Sequence, residues 1–383
     1  QLLAGERRDE DLVLLVGGVI SGVQDFIYTI TARGAAKGLR GRSFYLELLN
    51  RAVVRYLLRA LNLPLTNLLY AGGGHFYFLA PLTARARLAP LRRQVTRKLL
   101  DHHGGDLYVA VGATSVTAAQ FDRERFTDVW HAVSQEMNAA KRQRFAELDD
   151  AGTLSQQVFG PLGSGGGEER ECQVCHHDGP VHIEREGTDD ERRICSFCRS
   201  LEDLGTDLRD AAAILLGDVE PKDGARAGYR EALRAFGTGL GITTADGRTV
   251  LSPPDDVERA RLLATRDVPN LEAMARAIAR QCGCPVAPGT QYCVNVTPRK
   301  GDSVATFEDL QDASRGVPRL GVLRMDIDDL GDLFKWGFRD EGPLSRVASL
   351  SFGLSLFFEG WVGERCREIN AQGPDKVYAI YSG

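Results

Sequence analysis

Residues 12 to 20 read LVLLVGGVI, and Ser21-Gly22 follow them directly. A short aliphatic and β-branched run closed by a turn signal predicts a buried strand. The basic, Gly-rich stretch that comes next predicts a loop. From residue 43 to 61 (SFYLELLNRAVVRYLLRAL) apolar positions recur every three or four residues, and Ser43 fits the N-cap of such a helix. We therefore predict a strand, a loop and a core-facing helix.

The next segment predicts a hairpin. Residues 67 to 81 (NLLYAGGGHFYFLAP) have two apolar arms around Gly72, Gly73, Gly74 and His75, and such a turn needs positive φ, which glycine adopts readily. A helix at about 84 to 103 and a strand at 107 to 112 follow. The order is strand, helix, strand, strand, helix, strand, which is the ferredoxin-like or palm arrangement.

The chain contains an internal repeat when Phe26 is matched to Phe334. Ser43 follows Phe26 by 17 residues and Ser351 follows Phe334 by 17, each at the predicted start of an aromatic-rich helix. With one three-residue insertion, Tyr70-Ala71-Gly72 then aligns with Tyr381-Ser382-Gly383. A duplicated palm is the simplest account, and chance similarity between two strand-helix-strand units is the alternative.

A group of acids lies in the second copy, at the end of a strand predicted over residues 319 to 327. Alternation along a strand puts Asp326 and Asp328 of the run Asp326-Ile327-Asp328-Asp329 on one side. Hard oxygen ligands at one point are what Mg²⁺ requires, as in metal-assisted nucleotidyl transfer. The alternative is that these acids only cap the following helix. In the first copy the matching positions are Gly18 and Ile20, so that copy has no carboxylate pair there.

The cysteine spacing predicts a metal site. The two pairs Cys172-x-x-Cys175 and Cys195-x-x-Cys198 are 19 residues apart, which is typical of a zinc ribbon whose four thiolates leave no position open for catalysis. His176 and His177 are substitute ligands that four cysteines make unnecessary. Two disulfides are the alternative, and we expect them less in a cytoplasmic chain. A looser group, Cys282, Cys284 and Cys293, fits a second metal site or, more commonly, buried thiols.

Composition limits the function classes. The chain has 383 residues, 43% of them hydrophobic and 26% charged, with a net charge of -5, which describes a globular protein of two or three units. The negative charge argues against a surface that binds nucleic acid throughout. Residues 1 to 11 lack an apolar signal core, and the longest apolar run, 13 to 20, is far below the roughly 20 residues of a membrane span. We expect a cytoplasmic protein with no membrane partner, cropped at both ends.

Two stretches resemble a known family. Residues 21 to 49 (SGVQDFIYTITARGAAKGLRGRSFYLELL) closely resemble the first palm of the large subunit of type III CRISPR effector complexes, in the Csm (III-A) form. Residues 306 to 331 (TFEDLQDASRGVPRLGVLRMDIDDLG) resemble the entry to its second palm. The resemblance implies an α/β (α+β) chain: a first palm at 1–160 with a degenerate metal site, a zinc-binding and helical linker domain at 161–315, and a truncated second palm at 316–383.

The same resemblance implies an activity and its residues. In that family two palms bind two ATP molecules and join them by 3′-5′ linkages into cyclic oligoadenylate when the complex holds CRISPR RNA and target RNA together with its other subunits. Asp326 and Asp328, with the Ile327 carbonyl, would hold Mg²⁺ or Mn²⁺ and act in catalysis. The nucleotide-binding residues would be Ser43, Ser351, Gly72, Gly73, Gly74, His75, Lys37 and Gly383. Gly383 aligns with the first glycine of the family's Gly-Gly-Asp-Asp hairpin. Arg40 and Arg42 extend the basic stretch that Lys37 begins.

Other functions stay open from sequence alone. A GGDEF-type cyclase would make a cyclic dinucleotide from GTP, but such enzymes carry one palm per chain. A scaffold with catalytically dead palms would only bind RNA and neighbouring subunits. The family often has an N-terminal HD nuclease domain for single-stranded DNA. The only His-Asp pair here is His177-Asp178, between the cysteine pairs, so we expect no DNase site in this chain.

Overall fold

A computed structural model of the chain describes residues 9–121, 126–149, 158–160, 170–186, 190–247, 249–251, 253–301, 303–325, 327–328, 333, 344–373 and 376–380. Within these ranges no helix combines the length and the apolar character that crossing a bilayer requires. The described residues form two larger sheets with their covering helices, two two-stranded hairpins and a C-terminal helical region.

The first sheet contains β1 (Asp11–Ser21), β2 (Leu68–Gly72), β3 (His75–Ala80) and β4 (Tyr108–Thr117). Their order is β2-β3-β1-β4, and all neighbours are antiparallel. The aliphatic run that the sequence predicts as a buried strand is the central strand, with Val16 opposite both Phe78 and Ala113. The predicted order of strands and helices through residue 112 is therefore confirmed.

Helices cover both faces of this sheet. On one face lie α1 (Val23–Tyr28), α2 (Ala35–Ala60) and α3 (Arg85–His103), which share a core with alternate residues of β1 such as Leu14 and Val16. On the other face α4 (Phe126–Arg142) packs Phe126 and Val133 against Leu15 of β1. Because strand side chains alternate in direction, one strand supplies both cores.

Helix α2 begins earlier than predicted. The expected basic loop is wrong over residues 35 to 42, which form the first turns of α2, and Ser43 is therefore an interior residue and not an N-cap. Glycine in a helix interior usually indicates poor helix formation, but here Gly41 makes room for α5 (Ser196–Asp210). A Cβ at Gly41 would lie 1.8 Å from the Leu201 carbonyl oxygen, and one at Gly205 would lie 1.9 Å from the Lys37 carbonyl oxygen. Close helix packing thus explains these glycines.

The middle of the chain holds a hairpin and a second sheet. Strands β5 (Val181–Glu186) and β6 (Asp190–Cys195) pair before α5. The second sheet has the order β11-β10-β7-β8-β9, in which only β10 and β11 are parallel. Its strands are β7 (Ala213–Asp218), β8 (Thr238–Thr243), β9 (Val250–Leu251), β10 (Arg259–Ala264) and β11 (Val286–Thr290). Two helices lie between them along the chain, α6 (Tyr229–Ala235) and α7 (Leu271–Cys282).

This sheet corrects the prediction of a helical linker over residues 161 to 315. The Arg/Ala-rich composition of residues 255 to 280 favours helical structure, yet residues 259 to 264 form β10. Arginine and alanine favour helices in isolation. Here Ala260, Leu262 and Ala264 are buried while the strand pairs on both sides, so tertiary pairing overrides local propensity.

A buried ion cluster joins the two units. Asp218, at the end of β7, is buried. It accepts hydrogen bonds from Arg55 of α2 and, at 2.7 Å, from Arg259 of β10, and it forms an ion pair with Arg59 of α2. Burial alone would raise the pKa of Asp218, but Arg55, Arg259 and Arg59 outweigh it and hold that pKa below its usual value. The carboxylate therefore links α2 to the second sheet.

The C-terminal region is mainly helical where it is described. It contains β12 (Arg299–Lys300), β13 (Ser303–Val304), α8 (Phe307–Asp312), α9 (Leu344–Ser355), a π-helical segment (Leu356–Trp361) and α10 (Val362–Ala371). The strand predicted over 319 to 327 is wrong for residues 319 to 325, which have no regular structure, and Val322 is 93% exposed. No described strand pairs with this segment, and an unpaired strand is not stable in water.

Candidate metal centre and nucleotide site

The structure brings together Cys172, Cys175, Cys195 and Cys198, and their four sulfur atoms all lie within 4.8 Å of one another. The first two come from a tight loop in which the amide of His176 donates to the Cys172 carbonyl at 2.8 Å. The other two come from the end of β6 and the first turn of α5. Sulfur donors at this separation fit a single tetrahedral metal such as zinc.

Hydrogen bonds to the sulfurs complete this centre. The amide of Cys195 donates to the Cys172 sulfur at 3.2 Å, and the amide of Cys198 donates to the Cys195 sulfur at 3.4 Å. Two guanidinium groups also donate, Arg42 to Cys198 at 3.1 Å and Arg226 to Cys175 at 3.4 Å. Four thiolates around a divalent ion carry two excess negative charges, and these two arginines offset them.

The other predicted metal-binding groups do not join this centre. His176 contacts Glu171 at 2.7 Å, and His177 contacts the Cys175 carbonyl oxygen. Cys282 and Cys284 lie in the apolar core of the second sheet, whereas Cys293 packs against the first core. Across the residues that the structure describes, the four-cysteine centre is the one metal-like cluster. Of this looser group Cys284 is buried, as the buried-thiol interpretation predicts, whereas Cys282 and Cys293 are only half-buried.

The β2–β3 hairpin forms as predicted. Gly73 and Gly74 occupy its two-residue turn with φ of 54° and 73°, and Gly72 pairs with His75. The amide of Ile20 donates to the Gly74 carbonyl at 2.8 Å, and Asn50 of α2 donates to the His75 carbonyl at 3.1 Å. The glycine turn is thus held between the end of β1 and helix α2.

The position that matches Asp326 in the repeat is filled by an aromatic ring. A Cβ at Gly18 would lie 2.0 Å from the Phe76 ring, and Ile20 belongs to the same apolar core. Phe76 is fully buried, so the ring cannot turn into solvent. Packing therefore explains why the first copy has no carboxylate at this place.

The residues of the basic stretch all have partners inside the chain. Lys37 pairs with Glu202 at 3.0 Å. Arg40 donates to the Gly205 carbonyl at 2.9 Å, to Thr297 at 2.8 Å and to Tyr378 at 3.0 Å. Arg42 donates to the Phe26 carbonyl as well as to Cys198. These cations hold α2 against the rest of the molecule.

The second copy is only partly described. Asp326 and Gly383 lie outside the described residues, Ile327 is half-buried, and Asp328 is exposed in a turn. Ser351 is 5% exposed and lies inside α9, so the prediction that it opens that helix is wrong. Helix α9 does contact β2 of the hairpin, and α2 contacts the same strand, so both serine-bearing helices touch β2.

Sequence reasoning missed a polar cluster beside the hairpin. Gln291 donates to Glu47 at 2.7 Å and accepts from Arg51. Burial, followed by the charge of Glu47, raises the pKa of Glu359 to about 7, and Glu359 acts electrostatically on Tyr70 of β2. The sequence feature that could have indicated this cluster is the position of Glu47, one helical turn after Ser43.

Comparison with known proteins gives consistent relatives. The family model Csm1 subunit domain B matches residues 12–157. A CRISPR system single-strand-specific deoxyribonuclease Cas10/Csm1 (subtype III-A) from Mycobacterium tuberculosis is 31% identical, over 98% of this chain and 45% of its own length. The Methanocaldococcus jannaschii protein of the same name is 26% identical, over 98% of this chain and 48% of its own length. The chain thus spans about half the length of the curated relatives it matches.

Solved structures share the fold. A Csm1–Csm4 subcomplex of the type III-A CRISPR-Csm interference complex gives a TM-score of 0.64 at 24% identity, covering 94% of this chain and 41% of that one. A Csm1–Csm4 cassette in complex with cA3 gives 0.63 at 23% identity, covering 95% and 41%. The cassette in complex with one ATP gives 0.63 at 24% identity, covering 94% and 41%. At such identities the likeness establishes a shared mixed α/β fold.

Proposed function

The chain is a homologue of the Cas10/Csm1 proteins of type III-A CRISPR systems, and from this premise we propose that it joins ATP into cyclic oligoadenylate. The reaction would occur when the complex that carries it holds CRISPR RNA and target RNA, together with a Csm4-type subunit. The observation that carries the proposal is the glycine turn held between β1 and α2. It lies in a fold shared with proteins solved with ATP and cA3.

In this proposal two palms bind two nucleotides. Gly72, Gly73, Gly74 and His75 would lie over one nucleotide, since a turn without side chains lets the backbone approach a ligand closely. Ser43 and Ser351 would face the two adenines. Lys37 reaches a triphosphate only by leaving Glu202, so its contribution depends on that ion pair opening.

The second palm would bind the metal ion that acts in catalysis. Asp326 and Asp328, with the Ile327 carbonyl, offer the hard oxygen atoms that Mg²⁺ or Mn²⁺ prefers. A bound ion there neutralises charge on the reacting phosphate. The first palm would hold its nucleotide without metal, because Gly18 and Ile20 offer no carboxylate and the Phe76 ring occupies the space.

The four-cysteine centre would bind structural zinc. Four thiolates close the coordination shell, so no position remains for substrate or water. Arg42 joins this centre to α2, the helix that carries Ser43. We propose that zinc fixes the position of α2 relative to α5.

The experiment is to incubate the intact complex with ATP, Mg²⁺ and target RNA and to search for oligoadenylate by mass spectrometry. Asp326→Ala should abolish the product, and Ser43→Ala should raise the ATP concentration needed for half-maximal rate. Asp312→Ala changes an exposed aspartate on α8 and should leave synthesis unchanged.

Two outcomes would count against the proposal. An RNA-loaded, intact complex that makes no oligoadenylate would favour a scaffold whose palms are inactive. For the first copy, the absence of a carboxylate at residues 18 and 20 supports that alternative. A product from GTP would instead favour a GGDEF-type cyclase. Undiminished synthesis in Asp326→Ala would overturn the site assignment alone.

A further inference from the structure

Five arginines lie where α2 packs against the second sheet. They are Arg51, Arg55 and Arg59 of α2 and Arg259 and Arg261 of β10. The three on α2 are four residues apart, so they form one row along the helix. The two on β10 share a face, because strand side chains alternate in direction. Leu263 follows on that face and belongs to the same apolar core as α2, so the face is turned toward the helix.

Internal acids account for four of these arginines. Asp218 forms the buried cluster described above with Arg259 and with two arginines of α2. Arg51, the third on α2, pairs with Glu47 at 2.8 Å. Because each of these four guanidinium groups has a carboxylate partner, a structural role is sufficient to explain them.

Arg261 is the exception. It forms no hydrogen bond and no ion pair with any residue that the structure describes. The charges that act on it are those of Arg55 and Arg51, which repel it, and that of Asp218, which three other arginines already share. Burial, followed by Arg55 and Arg51, lowers the pKa of Arg261 to about 10, so the group still carries its charge at neutral pH.

A ligand can reach this guanidinium. Arg261 is half-buried, and none of its nitrogen atoms is among the fully enclosed polar atoms that lack a partner. The neighbouring edge strand β11 leaves space beside it, since the residue opposite Arg261 in the parallel register is the exposed Ala287. The next residue of β11 on that face, Gly289, has no side chain. A reachable cation between two others, without an acceptor of its own, indicates an anionic ligand.

From this arrangement we propose that Arg261 is the main contact of a phosphate-binding site, which Arg51 and Arg55 complete. A guanidinium has five N–H donors, and the internal contacts of Arg51 and Arg55 leave some of theirs unused. A phosphate group accepts from several guanidinium groups at once and matches each in a bidentate manner. The phosphate comes from an RNA strand or from a free nucleotide. This site goes beyond the proposed synthesis, which uses none of these three arginines.

The test measures binding of two probes to the full chain by fluorescence anisotropy, a labelled single-stranded oligoribonucleotide and labelled ATP. Arg261→Gln should weaken binding of the probe that occupies the site roughly tenfold, the value of one charge-assisted contact. For RNA it should also lower the slope of log affinity against log salt by about 0.7. Arg276→Gln is the matched control and should change neither quantity, since it alters an exposed arginine of α7 that pairs with Glu272.

Thermal unfolding of the ligand-free chain separates this role from a structural one. Because Arg261 has no internal partner, Arg261→Gln should leave the thermal midpoint unchanged or raise it. Ala287→Glu places a carboxylate opposite Arg261 in the register, so it should raise the midpoint and weaken binding of the same probe. A lower midpoint in ligand-free Arg261→Gln would show a structural partner and would overturn the inference.

The two probes identify the source of the phosphate. A loss of RNA affinity alone assigns the site to a strand, a loss of ATP affinity alone assigns it to a free nucleotide, and a loss of both assigns it to either; each supports the inference. Unchanged affinities for both probes in Arg261→Gln would overturn it. Equal losses in Arg261→Gln and Arg276→Gln would show a diffuse charge effect and would also overturn it. The assay needs no synthesis, so its result is independent of the proposed cyclase activity.

Discussion

The contact between α2 and α5 predicts opposite effects for one substitution at two glycines of the same helix. Gly38→Ala adds a methyl group 3.3 Å from a side-chain carbon of Ile30, where a small adjustment suffices. Gly41→Ala adds the same group 1.8 Å from the Leu201 carbonyl oxygen, which belongs to the backbone of α5. Both changes improve the intrinsic helix propensity equally.

The magnitudes follow from these distances. Replacing an interior helical glycine by alanine gains about 1 kcal/mol, so Gly38→Ala should raise the free energy of unfolding by up to that amount. Gly41→Ala must move two helices apart by more than 1 Å, judged against ordinary contacts of about 3.5 Å. Overpacking of this kind costs roughly 3 kcal/mol. The net effect of Gly41→Ala should therefore be a loss of about 2 kcal/mol.

The assay is urea-induced unfolding of the full chain followed by circular dichroism, with bound zinc measured in parallel. Because α5 carries Cys198, Gly41→Ala should also release zinc to a chelator faster than Gly38→Ala does. Equal stability of the two variants, with equal zinc retention, would refute the view that these glycines exist for close helix packing.

The remaining predictions concern charge and metal. Asp218→Asn leaves three arginines facing one another and should cost about 3 to 5 kcal/mol in urea unfolding. Asp223→Asn changes an exposed carboxylate that pairs with Lys98 and should cost under about 1 kcal/mol. Similar losses in the two variants would contradict the bridging role of Asp218. Cys172→Ser should lose stoichiometric zinc and lower the thermal midpoint, and a variant that keeps its zinc would exclude this site. The pKa of Glu359 is raised from 4.5 to about 7 in the folded chain, so the folded state binds the extra proton in that window and stability should fall as pH rises through it. The full shift corresponds to a loss of at most about 3 kcal/mol across this window. Glu359→Gln should remove this pH dependence, and an unchanged pH profile would contradict the burial of Glu359.

The first sheet was predictable because its signals are local. The run from 12 to 20 has the length and composition of a central strand, and the glycines at 73 and 74 specify a turn that few other residues can form. The cysteine ligands were predictable for a similar reason, since the C-x-x-C spacing fixes two sulfurs near each other whatever the rest of the chain does.

The errors arise where distant contacts decide the structure. Nothing local in residues 35 to 42 reveals that a second helix packs against Gly41, so the glycines suggested a loop. Residues 259 to 264 have helix-forming composition, and only pairing with β7 and β11 makes them a strand. Glu359 acquires its raised pKa from burial and from Glu47, two influences that sequence spacing does not encode.

The Phe76 ring above Gly18 has an evolutionary consequence. If the two halves of the chain descend from one ancestral unit, the first half cannot regain an acid at this strand by one codon change, because Gly18→Asp would drive a carboxylate into a buried aromatic ring. Regaining it requires a smaller residue at 76 in the same lineage, and the intermediate with that change alone would carry a cavity in its core. Loss of the acid at this position is therefore easy by drift, whereas its recovery requires a destabilised intermediate.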